Sequence, residues 1–224
     1  MRKFVAVSIL SLFIALVPVL PAQAALGDSI LTLGVRSTDV IQLQSELNYL
    51  GFYVGPADGI YGLKTKAGVM SFQTAYKIKI DGIVGPQTVA AVNSAYAAKV
   101  RQEKTNAILA NAKSFLGIPY HWGGTSPSTG FDCSGFVQYV FGQNGISLPR
   151  ISRDQYQIGT SVDFDNLQPG DLVFFSIGKN GIVDHDGIYL GDGQFINSSS
   201  SKGVTVYTIG PYWKSVYLGA KRVY

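Results

Sequence analysis

Apolar residues recur at helical spacing three times in the first half of this chain. Val40, Leu43, Leu47 and Leu50 mark one face, Val69, Phe72 and Tyr76 a second, and Val89, Val92 and Tyr96 a third. Ser37 is placed to cap the first of these helices and Gly51 to stop it. A polar stretch from Ala97 to Thr105 follows, and helix-compatible residues continue to Leu116 with Ile108, Ala112 and Phe115 or Leu116 on one face. Past the middle of the chain the period shortens. Leu172 to Ser176, Gly187 to Leu190, Gln194 to Ile196, Val204 to Tyr207 and Gly219 to Tyr224 read as strands, separated by turns such as Gly191-Asp192-Gly193. Helices lead and a largely antiparallel sheet follows, which is an α+β layout.

Two of the predicted helices are preceded by the same phrase. Asp58-Gly59-Ile60-Tyr61-Gly62-Leu63-Lys64-Thr65 recurs as Asp81-Gly82-Ile83-Val84-Gly85-Pro86-Gln87-Thr88. Asp-Gly is a turn signal, and Pro86 suits the first turn of a helix, where its missing N–H costs nothing. Three short helices joined by such loops predict one small bundle.

The N-terminus changes the setting. Arg2 and Lys3 precede an apolar run from Phe4 to Leu20, and Ala22-Gln23-Ala24 is a small-x-small cleavage site. Met1–Ala24 therefore reads as a signal peptide, with no cysteine after the cleavage site for lipid attachment and no stable membrane anchor expected. The protein is expected to be secreted, in the cell wall or periplasm. Loss of Arg2 and Lys3 lowers the formal charge of +4 by two. So mild a charge gives no reason to expect nucleic acid, and it is compatible with an anionic wall polymer.

In that setting the single cysteine matters. Cys133 lies in Gly130-Phe131-Asp132-Cys133-Ser134-Gly135-Phe136, with a helical stretch from Phe136 to Gln143 following. A lone thiol in an exported protein is either an inert buried hydrophobe or a reactive group. Its place at a helix start favours the reactive reading, because the unpaired N–H groups there stabilise a thiolate. Such a nucleophile needs a base, since a free thiol titrates near 8.5. The chain has two histidines, His121 in a loop and His185 at a strand edge. Counting does not choose between them; a strand-edge histidine facing the helix across the core makes His185 the better candidate.

Two resemblances sharpen these readings. Asp39-Val40-x-x-Leu43-Gln44, Asp58-Gly59-x-Tyr61-Gly62-x-x-Thr65, Phe72-Gln73 and Asp81-Gly82-Ile83-Val84-Gly85 resemble the bacterial peptidoglycan-binding domain of the three-helix type. Gly68 departs from the alanine usual there and is expected to weaken its helix by about 1 kcal/mol. Farther on, Pro119-Tyr120-x-Trp122-Gly123-Gly124, the Cys133 segment, Leu148-Pro149-Arg150, Gln168-Pro169-Gly170-Asp171-Leu172 and His185-x-Gly187-Ile188-Tyr189 together resemble the NlpC-type cysteine peptidases, papain-like enzymes of bacterial cell-wall turnover.

Taken with the leader and the polar stretch, the resemblances imply an organisation of signal peptide 1–24, peptidoglycan-binding domain 25–98, linker 99–105 and peptidase domain 106–224. It implies Cys133 as nucleophile, His185 as general base and Asn197, where the family usually has histidine, as the residue orienting the imidazole. Tyr120 is implied as an oxyanion donor. Asp132 and Ser134 correspond to positions that hold substrate, although Asp132 serves equally as a helix cap, and Arg150 reads better as a structural ion pair than as a substrate contact. Asp186 departs from the small or apolar residue common after the histidine; on an extended strand it points away from the His185 side, as does Asp184.

The implied reaction is cleavage of the γ-D-glutamyl–diamino acid amide of peptidoglycan stem peptides, with no metal and no cofactor. The implied partners are stem peptides and the glycan polymer, and a monomer is expected. The competing readings are an amidase or acyltransferase of the same thiol fold, and a wall-binding protein whose triad has decayed.

Overall fold

A computed structural model describes Leu26, Gly27 and residues 29–224. The predicted leader, Met1–Ala24, lies outside the described residues. The chain divides into two compact units between Asn93 and Ser94. One helix, α3 (Pro86–Ser114), runs without a break through the segment 99–105.

The first unit holds α1 (Thr38–Leu50), α2 (Leu63–Ala75) and the opening turns of α3. Ser37 caps α1 by accepting from Val40 N, and Gly51 ends it in a left-handed conformation (φ 96°). The repeated phrase becomes a repeated hydrogen-bond cage. Gln44 Nε2 donates to Asp58 Oδ1 (3.0 Å), the Ile60 carbonyl (3.1 Å) and Thr65 Oγ1 (3.0 Å), while its Oε1 accepts from Gly59 N (2.9 Å). Gln73 makes the same set with Asp81 (3.1 Å), Ile83 (2.9 Å), Thr88 (3.2 Å) and Gly82 N (2.9 Å). Each aspartate also accepts from the backbone two residues on, at 2.9 Å. These carboxylates thus lock the turns that start the helices, and the buried glutamines join each turn to the preceding helix.

Gly68 corrects a sequence-level expectation. A Cβ there would lie 2.2 Å from Val54 Cγ1, and Val54 is buried. The glycine makes room for a core valine, so its propensity cost is set against packing that alanine would disrupt.

In the second unit a six-stranded antiparallel sheet forms from β3 (Thr160–Val162), β4 (Leu172–Phe175), β5 (His185–Gly191), β6 (Gln194–Ser199), β7 (Gly203–Thr208) and β8 (Tyr217–Arg222). Their spatial order is β3-β8-β4-β5-β6-β7. The short pair β1 (Thr125–Ser126) and β2 (Gly130–Phe131) leads into α4 (Cys133–Gln143). All five strands expected from the sequence are present. β3 was not expected; it is a short, largely exposed edge strand without apolar alternation.

Both faces of the sheet are covered. Leu172, Phe174, Ile188 and Ile196 turn toward α4, joining Phe136, Val137, Val140 and Phe141 in one cluster. Val173, Phe175 and Phe195 form a second cluster with Val216, packed against Trp213 of α5 (Pro211–Ser215). Burial on both sides explains the continuous apolar run of β4. Asp171, 2 % exposed, is paired by the Arg222 guanidinium through Nε (2.8 Å) and Nη2 (2.7 Å), which fastens β8 beside β4. Among the described residues, no helix is long and apolar enough to cross a membrane.

Candidate active site

Cys133 is the first residue of α4, and Asp132 is its N-cap. The carboxylate of Asp132 is heavily used. Oδ1 accepts from Gly135 N (2.7 Å) and Arg150 Nη1 (3.0 Å); Oδ2 accepts from Gly123 N (3.0 Å) and Arg150 Nη2 (2.6 Å). Arg150 Nη1 also donates to Ser134 Oγ at 3.1 Å. Asp132 therefore holds the glycine-rich loop, the helix start and the arginine together. Ser134 is buried behind it.

His185 opens β5 and Asn197 sits on β6, both turned to the Trp213 side of the sheet. Gly187 makes this possible: a Cβ there would lie 3.1 Å from Asn197 Cβ and 2.7 Å from the Ile196 carbonyl. Asn197 Oδ1 lies 3.1 Å from His185 Nε2, and Asn197 Nδ2 donates to the Thr205 carbonyl at 3.3 Å. That second bond fixes which amide atom faces the ring. The Asn197 oxygen meets the histidine, so Nε2 carries the proton and Nδ1 keeps its lone pair. Trp213 stacks on the imidazole with centroids 5.6 Å apart and planes at 26°. Burial lowers the His185 pKa, partly offset by the Asn197 bond and the Asp184 charge, which favours the neutral ring.

A cleft of about 910 Å³ brings Cys133, His185, Tyr120, Asp132, Ser134 and Arg150 to one surface. Tyr120 lies on the loop before α4, bridged to Phe131. Burial first, then Cys133 and Asp132, raise its phenol pKa, so it stays a neutral donor. His121 is exposed and absent from the cleft wall; its backbone, not its ring, is engaged, with Phe131 and Gly124.

The thiol itself departs from expectation. A helix start should lower its pKa, yet burial, followed by the Asp186 and Asp132 charges, raises it strongly. Desolvation outweighs the helix dipole here. Cys133 therefore rests as a thiol.

Three further residues at the site have no role assigned from the sequence. Trp213 stands apart in sequence from His185, Phe175 and Phe195, whose rings it meets. Ser198 Oγ donates to the Phe131 carbonyl at 2.8 Å, tying β6 to the segment that carries Cys133; in the sequence it opens a serine run resembling a turn. Asp186 lies on the opposite face of β5 from His185, fully buried. Asp184 also avoids the imidazole, and accepts instead from Ile177 N (2.7 Å) and Gly178 N (2.8 Å).

The NlpC/P60 family matches residues 117–222, and a putative peptidoglycan binding domain matches residues 36–92. Residues 117–222 belong to the NlpC/P60 family. It is 48% identical over 120 residues to a gamma-DL-glutamyl hydrolase of Bacillus subtilis (strain 168), covering 52% of this chain and 29% of that protein. It is 38% identical over 134 residues to the murein DD-endopeptidase MepH of Escherichia coli (strain K12), covering 58% and 49%. The chain thus spans half or less of each of these relatives. An NlpC/P60 family protein from Bacillus cereus, solved as a crystal structure, is 40% identical with a TM-score of 0.50, over 53% of this chain and 39% of that one.

Proposed function

We propose that this NlpC/P60 protein is an exported peptidoglycan endopeptidase that cuts the γ-D-glutamyl–diamino acid amide of stem peptides. The observation that carries this reading is the His185–Asn197 pair. Asn197 leaves His185 Nδ1 as the free base in the same cleft as the Cys133 thiol.

Chemistry follows from those assignments. Nδ1 accepts the thiol proton as sulfur attacks the carbonyl carbon. The developing oxyanion is met by the Cys133 backbone N–H and the Tyr120 phenol, donors of a kind each worth about 2.7–4 kcal/mol at such a site. The imidazolium then protonates the leaving amine, and water, activated by the regenerated base, releases the acyl-enzyme. Asn197 accepts from Nε2–H throughout, stabilising the imidazolium without taking its proton.

The γ-D-glutamyl specificity rests on the relative named gamma-DL-glutamyl hydrolase, and the one named murein DD-endopeptidase makes a D,D crosslink the second bond to examine. The first unit would hold the enzyme on the polymer and raise the local concentration of stem peptides. Its matched family supports that role. A Cys133→Ala protein tests the division of labour: it should sediment with purified cell walls as the parent does and cleave nothing. Loss of wall binding together with cleavage would make the cysteine a structural residue.

A further inference from the structure

Two arginines line the cleft, and their charges are used differently. Arg150 is paired with Asp132 at 2.6 Å. Arg153 is exposed and, among the described residues, forms no ion pair. Its Nε donates to the Val183 carbonyl at 3.3 Å, and nothing among the described residues accepts from Nη1 or Nη2. The other carboxylate of the cleft wall, Asp184, is held by Ile177 N and Gly178 N on the turn between β4 and β5.

The stem of Arg153 is fixed from two sides. It belongs to the short helix Ser152–Gln155. Gln155, 0 % exposed, donates from Nε2 to the Ser134 carbonyl (3.1 Å) and the Pro149 carbonyl (2.8 Å), which ties that helix to the first turn of α4. On the other side, Val183 precedes His185 in the segment that enters β5, where Asp184 N bonds to the Phe175 carbonyl at 3.1 Å. About 6–7 Å of extended chain therefore separates the anchor of the guanidinium from the base. Arg153 spans from the helix of the nucleophile to the strand of the base, with its stem held and its tip free. A guanidinium placed this way is a two-pronged receptor for a carboxylate.

We propose that Arg153 is a specificity-determining residue that binds a free carboxylate beside the scissile amide, so that stem peptides carrying it are preferred over their carboxamide forms. The assignment rests on the endopeptidase reading and names a substrate feature for the same cleft. A D-glutamyl residue linked through its γ-carbonyl keeps its α-carboxyl out of the chain, a short methylene run from the bond to be cut. A diamino acid with a second carboxyl brings another on the far side of that bond. Both offer the same ligand chemistry.

The test is binding to the full Cys133→Ala chain, followed by NMR titration with three synthetic, C-terminally amidated tripeptides. The first has a free glutamyl α-carboxylate before lysine, the second a carboxamide at that position, and the third this carboxamide followed by a diamino acid with a free second carboxyl. Adding Arg153→Gln should weaken binding of the first or the third by about tenfold, the low end for a charged hydrogen bond, and leave the second within about twofold. Loss on the first identifies the glutamyl carboxylate, and loss on the third the diamino acid. Arg153→Lys should recover only part of the affinity, because an ammonium keeps the charge without the fork. Arg153 is exposed, so neither change opens the core. Equal weakening of all three peptides, a preference for the carboxylate that survives Arg153→Gln, or no binding of any peptide overturns the proposal. Binding through Arg153 by a parent that cuts no amide would instead remove the endopeptidase reading and leave this carboxylate site in place.

Discussion

Asn197 gives its amide N–H to the Thr205 carbonyl and keeps its oxygen for His185 Nε2, 3.1 Å away. Those two bonds select the tautomer of His185, and Asn197 makes them while fully buried.

Asn197→Ala should lower kcat by about tenfold to a hundredfold, the loss of a buried hydrogen bond to a group that becomes charged, about 1.5–3 kcal/mol. Steady-state kinetics with a stem-peptide substrate check this, and circular dichroism should show the fold retained. An unchanged kcat would remove Asn197 from the reaction.

Trp213→Ala should also slow the reaction, because it uncovers one face of the His185 ring and lets water reach it. Trp213→Phe should recover most of the rate. The ascending limb of kcat/KM distinguishes this from simple damage. Burial holds the His185 pKa below its usual 6.5, so in the parent the limb lies below that value, and Trp213→Ala should move it upward.

Asp132 has its four strong donors supplied from within the protein, two of them from Arg150. Arg150→Ala should lower stability in urea by about 1–3 kcal/mol, the range for charged hydrogen bonds at a partly exposed pair. Arg150→Lys should restore only part of it, since an ammonium does not reproduce the two-pronged contact.

Gly68→Ala should destabilise the first unit although alanine is the better helix former by about 1 kcal/mol. The added methyl meets Val54, and overpacking of this kind costs about 1–3 kcal/mol. Thermal unfolding should show the loss, and Val54→Ala should become less harmful when combined with Gly68→Ala than alone.

Asp186 also shapes stability. Its folded pKa of about 7 lies above the ordinary 3.8, so the native state holds its proton more tightly than the unfolded chain. Stability falls as pH rises from about 3.8 through about 7. Asp186→Asn should raise the melting temperature near pH 8 and change it far less near pH 4. Equal shifts at both pH values would mean that Asp186 does not stay protonated in the fold.

Much of this molecule is written in local patterns. The Asp-Gly repeat, the cap at Ser37 and the residues around Cys133 are each legible within a dozen positions, because turns and helix starts are local. The choice of His185 over His121 followed from its place on a strand, and the structure puts His185 in the cleft and His121 outside it. The remaining features are relations between distant segments. Strand alternation sends Asp186 away from His185, but only the packing of α4 shows that the side it then faces is buried. Asp132 fits its capping position in the sequence, yet its bond to Gly123 N requires the loop to fold back. The helix-dipole argument for an acidic thiol failed for a related reason, since burial depends on everything packed around the sulfur.

The central claim is tested most directly by digesting purified muropeptides with the parent protein and with Cys133→Ala, and weighing the products by mass spectrometry. The account predicts that the parent alone releases fragments ending in D-glutamate, with the diamino acid bearing the new amine. A folded, wall-bound parent that leaves this amide intact, or that opens only D,D crosslinks, would contradict it.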